Sequence, residues 1–126
     1  MQRATFVTSL AWFVPGAILL QFLLAGLSRF HDIQLWPVHT ILGSALALPI
    51  GVVAFKGLIS SHALRLRVWA LAQVGIYVSQ VASIAVGQNT GSGLFQALHA
   101  FNAGLLLISF VVAQKIALTS MNQLTR

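Results

Sequence analysis

Apolar residues run along this chain in four long blocks separated by short polar breaks. A bilayer core about 30 Å thick takes about 20 apolar residues of helix to cross. The blocks at 5–27, 36–55, 68–87 and 93–114 each have that length. Charges stand at their borders: Arg29 and Asp32 after the first, Lys56, Arg65 and Arg67 around the second break, and Lys115 after the fourth block. No block alternates apolar and polar at every second residue, as a barrel strand would. The pattern predicts an all-α integral membrane protein, a four-helix bundle made of two tandem helical hairpins in a single transmembrane domain over 1–126. The first block is too long for a signal-peptide apolar region of about 7–15 residues and is expected to remain as a helix. Pro37 suits the first turn of the second helix, where its missing N–H has no intrahelical partner. Pro15 and Pro49 each remove an i to i−4 bond and are expected to kink the first and second helices.

The two halves resemble each other. The first helix carries Gln21-Phe-Leu-Leu-Ala-Gly26 and the third carries Gln80-Val-Ala-Ser-Ile-Ala-Val-Gly87. His39 follows Gln21 by 18 residues, and His99 follows Gln80 by 19. Past each histidine an apolar run reaches Val52-Val53-Ala54 or Val111-Val112-Ala113 and meets Lys56 or Lys115. At 1.5 Å per residue this puts the two histidines and two glutamines within roughly 5–10 Å of one membrane boundary.

Composition narrows the chemistry. Of 126 residues 58% are hydrophobic and 6% charged, against roughly a quarter charged in a soluble domain. There is no cysteine, which removes disulfides, thiolate metal sites and thiol nucleophiles. Asp32 is the one acid, so paired-carboxylate hydrolysis, carboxylate proton relays and oxygen-rich metal sites lack their groups. Ser9, Ser44, Ser83 and Ser109 have no acid–base partner, and hydroxyls in spans generally bond helix carbonyls. No hydrolytic or transferase site is visible; electron transfer is the most the residues offer.

The net charge of +6 comes from basic residues scattered between spans, which carries no nucleic-acid signature and instead reads as topology. Arg3, Lys56, Arg65, Arg67, Lys115 and Arg126 fall on one side and Arg29 alone on the other. The positive-inside rule then predicts that both termini are cytoplasmic. Trp36 and Trp69 at span ends suit the interface.

Two imidazoles at matched depth on different helices can ligate one haem iron from both sides. His39 and His99 are the candidate ligands for a b-type haem near the outer leaflet. Gly43 and Ala103, four residues on, would leave room for the macrocycle, with Leu46, Ile50, Leu106 and Phe110 as apolar walls. Arg29 and His31 would face the propionates, and Asn102 with Gln21 and Gln80 would orient the rings. The plainer readings remain open beside this one. A membrane histidine serves more often as an interhelical hydrogen-bonder. Gly43, Ala47 and Gly51 form the small-residue stripe of ordinary helix packing, and Gln21, Gln73 and Gln80 are common packing polarity. His31 and His62 are expected in solvent-facing loops, and a zinc site would need His31 as third ligand.

The segments Leu20-Gln21-Phe-Leu-Leu-Ala-Gly26, Val38-His39-Thr-Ile-Leu-Gly43 and Ala97-Leu98-His99-Ala-Phe-Asn102-Ala103 together resemble a group of small bacterial four-helix membrane proteins that form a domain of unknown function. The resemblance implies the same fold, with a histidine opening the second and fourth helices. More loosely, the arrangement resembles bis-histidine membrane b-type cytochromes. It departs from their two-haem forms, since the cytoplasmic half lacks the second histidine pair. Two functions are therefore expected: a single-haem protein acting in electron transfer or within a larger membrane complex, or a structural, accessory subunit of such a complex without its own cofactor. A transporter or channel is disfavoured by the absence of carboxylates from the spans.

Overall fold

The computed structural model describes the backbone of residues 2–60 and 64–124, with side chains over 12–59 and 64–119. The side chain of Arg3, and all of His62 and Arg126, lie outside the described residues. Those described are helical nearly throughout, with no strand among them. The elements are α1 (Gln2–Phe30), a 3-10 turn (Ile33–Leu35), α2 (Trp36–Ala45), α3 (Ala47–Ser60), α4 (Leu64–Thr90) and α5 (Gly93–Leu124). Apolar helical stretches long enough to cross a bilayer occupy Trp12–Phe30, Ile33–Ile59, Leu64–Thr90 and Gly93–Thr119. The chain is a membrane protein of four such stretches.

The helices outrun the sequence expectation at most ends. α5 has 32 residues, about 48 Å at 1.5 Å per residue, well beyond an apolar core of about 30 Å. Hydropathy marks where a helix leaves lipid, not where its hydrogen bonds stop. The helix through Pro15 is unbroken, with Pro15 buried. Near Pro49 the helix does break, at Leu46, separating α2 from α3. Proline denies Ala45 its i+4 donor, while Leu46 N–H still reaches Leu42 O and Ile50 N–H reaches Leu46 O, each at 3.1 Å.

Asp32 closes the first turn. Its Oδ1 accepts from Gln34 N–H at 2.9 Å and caps the 3-10 segment that leads into Trp36 and Pro37. The second turn rests on Gly91, whose φ of 67° is a left-handed conformation that costs glycine least.

Two compact units divide the chain, Met1–Val53 and Ala54–Arg126, the boundary falling inside α3. In the first unit α1 pairs with α2, burying Val14, Ile18, Leu24, Leu46 and Ile50. In the second, α4 pairs with α5, and Ala70, Gln73, Ser83, Ala103, Leu106, Ser109 and Phe110 are buried. Gly87 lets α5 come close: a methyl there would meet Gln96 N at 3.1 Å and Phe95 Cβ at 3.2 Å. Large apolar side chains point outward along both units, with Leu48 74% and Phe101 63% exposed. Such a surface suits hydrocarbon and would be unstable in water.

Candidate functional site: a histidine clasp in each hairpin

Each hairpin fastens a histidine of its second helix to the glutamine main chain of its first. His39 Nδ1 lies 3.2 Å from Gln21 O, and His99 Nδ1 lies 3.0 Å from Gln80 O. Both rings are half-buried. The antiparallel turn explains the pairing, because Gln21 and Gln80 sit a few turns before the reversal and the histidines a turn or two after it. A carbonyl can only accept, so the bond to it is made by an Nδ1–H imidazole, which leaves the lone pair on Nε2. That tautomer is the one in which Nε2 coordinates a metal while Nδ1–H fixes the ring.

The two clasps differ in their glutamine side chains. The Gln21 amide lies 2.9 Å from both His39 Nδ1 and His39 O and 3.1 Å from Gly43 N. With its nitrogen toward His39 it donates to His39 O and accepts from Gly43 N–H, straddling one backbone bond of α2. The same nitrogen can donate to an unprotonated Nδ1, so His39 finds a partner in either tautomer. Trp36 stacks on the ring, with centroids 5.1 Å apart and planes at 21°.

Gly43 admits this amide. A Cβ there would stand 3.4 Å from the end of the Gln21 amide. In this hairpin the Gln21 amide thus lies against the face at Gly43. In the second hairpin the position four residues after the histidine is Ala103, 7% exposed. Gln80 there makes no matching clasp, and its Oε1 is buried with no hydrogen-bond partner among the described residues. Gln80 O instead accepts twice, from His99 Nδ1–H and from Ser83 Oγ–H at 2.9 Å.

The other expected residues fall as follows. Asn102 Nδ2 donates to Ser79 Oγ at 3.0 Å, tying α5 to α4. Gln73 Nε2 donates to Ser109 O at 3.4 Å one level farther along the pair. Leu46, Ile50, Leu106 and Phe110 are buried. Arg29 and His31 are exposed at the end of α1 and in the turn after it. No three His, Asp or Glu side chains cluster to hold a metal among the described residues. The side chain of Ser83 and that of Ser109 bond carbonyls of their own helices, the latter at 2.7 Å from Leu106 O. The clasp partner missed from sequence is the Gln21 amide on Gly43, and its signal is a glutamine facing a glycine one turn past a histidine.

Residues 21–86 match a family of unknown function (DUF6220). The chain belongs to this family. The DUF6220 match takes in the whole first clasp, Gln21, His39 and Gly43, and Gln80 of the second. His99 lies beyond it. No curated protein and no solved structure matches the chain.

Proposed function

We propose that this DUF6220 protein is a small b-type haem protein of the bacterial inner membrane, with both termini cytoplasmic and with His39 and His99 as axial ligands of one haem. The observation that supports it most is the repeated clasp: two imidazoles, one from each hairpin, each with Nδ1 on a main-chain carbonyl. A ligating histidine almost always engages its other ring nitrogen in this way, which fixes orientation and raises basicity. Ala103, small and buried beside His99, would fit a flat group close to α5. When bound, haem would supply a one-electron couple. The chain's own part is to hold the two rings, exclude water with Leu46, Ile50, Leu106 and Phe110, and offer Arg29 toward the propionates. The orientation is supported by Lys56, Arg65, Arg67 and Lys115 against Arg29 alone.

The test is an absorption spectrum of the detergent-purified protein, oxidised and then reduced with dithionite, before and after haem is added. Sharp reduced bands of six-coordinate haem, lost in both His39→Ala and His99→Ala, are expected. A blank spectrum after reconstitution, or an unchanged one in both variants, refutes the reading. The clasps favour a second function in that case. Imidazole–carbonyl bonds fasten helices by themselves, and outward apolar faces such as Leu48 and Phe101 suit a structural or accessory subunit of a larger membrane complex.

A further inference from the structure

The end of the second unit away from the histidine gathers positive charge. The α4–α5 register is fixed by three bonds: His99 to Gln80, Asn102 to Ser79 and Gln73 to Ser109. Counting on from Gln73 and Ser109, six residues lead to Arg67 on α4 and six to Lys115 on α5, which therefore end at one level. α3 arrives at the same level. A methyl on Gly57 would stand 3.0 Å from Ala70 Cβ and 3.8 Å from Leu66 O. This close approach sets Lys56, beside Gly57, against Arg65 and Arg67, which flank Leu66. All four basic side chains are exposed.

The sole acid of the sequence, Asp32, belongs to the turn between α1 and α2, where it caps Gln34 N–H. Arg65 and Arg67 also stand in and beside the first turn of α4, where the helix dipole is positive and a basic side chain is unfavourable without an anion. Gln114, next to Lys115, is 6% exposed, and its Nε2 has no acceptor among the described residues. Three helices thus bring cations, helix N–H groups and a buried amide donor to one depth, at the edge of an apolar span.

We propose that this end of the protein binds the phosphodiester headgroup of an anionic phospholipid, with Lys56, Arg65, Arg67 and Lys115 as its contacts. The position selects lipid over a free anion. The cluster lies where the spans Leu64–Thr90 and Gly93–Thr119 leave hydrocarbon, so a headgroup can meet it while the acyl chains lie along Val68 and Ile108, both exposed. Basic side chains at this depth attract anionic headgroups additively.

The test compares thermal stability of the purified protein in nonionic detergent with added phosphatidylglycerol, phosphatidylcholine of the same chains, or inorganic phosphate. Phosphatidylglycerol alone should raise the melting temperature, and about 1 M salt should abolish the difference. Combined Lys56→Gln, Arg67→Gln and Lys115→Gln should weaken phosphatidylglycerol binding by about fivefold per charge removed. Lys56→Arg with Lys115→Arg should keep the effect and shows whether the positions tolerate substitution. An equal shift with phosphatidylcholine or with inorganic phosphate overturns the proposal, as does a glutamine variant that folds and retains the full shift. A blank haem spectrum has no bearing on it.

Discussion

Replacing each clasp glutamine by leucine, a side chain of similar size, should move stability in opposite directions. Gln21→Leu removes an amide that bonds His39 O at 2.9 Å and Gly43 N–H at 3.1 Å. Polar bonds between membrane helices average about 0.6 kcal/mol and reach about 1.7, so two of them amount to roughly 1–2 kcal/mol. Gln80→Leu removes a buried Oε1 that has no partner among the described residues. An unsatisfied buried acceptor costs about 1–3 kcal/mol, so its loss should leave the protein unchanged or more stable by about 1 kcal/mol. The main-chain carbonyls that hold the imidazoles survive in both variants. Unfolding by dodecyl sulfate from neutral micelles, followed by tryptophan fluorescence, measures both effects. Trp36, stacked on His39, reports on the first clasp directly. The reasoning fails if Gln80→Leu destabilises as much as Gln21→Leu, for the second amide would then carry a bond of its own.

Further outcomes follow from the turns and close approaches. Gly87→Ala sets a methyl 3.1 Å from the backbone nitrogen of Gln96, which cannot swing aside, and should cost about 1–3 kcal/mol in the same unfolding assay. Gly104→Ala meets open space and should instead stabilise, by up to about 1 kcal/mol through helix propensity. Asp32→Ala loses the cap on Gln34 N–H and should cost about 0.5–2 kcal/mol, whereas Asp32→Asn, which keeps an acceptor, should cost much less.

Length and hydropathy were enough to read four membrane-crossing helices from the sequence, because an apolar run of that size has few other uses in so short a chain. The paired motifs around Gln21 and Gln80 were legible for the same reason that they fold alike: nearly equal spacing across a tight reversal returns each histidine to the glutamine before it. The break at Leu46 was foreshadowed by Pro49, but Pro15 left its helix whole. A missing N–H says which bond is lost and not whether neighbouring packing lets the backbone bend. Gly43 was harder. A glycine one turn past a histidine reads equally as room for a cofactor, as a packing notch or as a seat for an amide, and the contact of the Gln21 side chain with it is not visible in the sequence. Asn102 bonds Ser79 across the pair, a partner that its i+3 spacing from His99 does not reveal.

The cross-bonds of the second hairpin bear on how the chain enters a bilayer. Asn102, Gln73 and His99 would each be costly for a lone helix to carry into hydrocarbon, yet each meets its partner on the adjacent helix of the same hairpin. Gln21 and His39 stand in the same relation one hairpin earlier. The favourable unit of insertion is therefore the helix pair. During synthesis α4 should linger at the translocon until α5 emerges to accept and supply its hydrogen bonds, and a ribosome stalled before Asn102 should leave α4 poorly inserted.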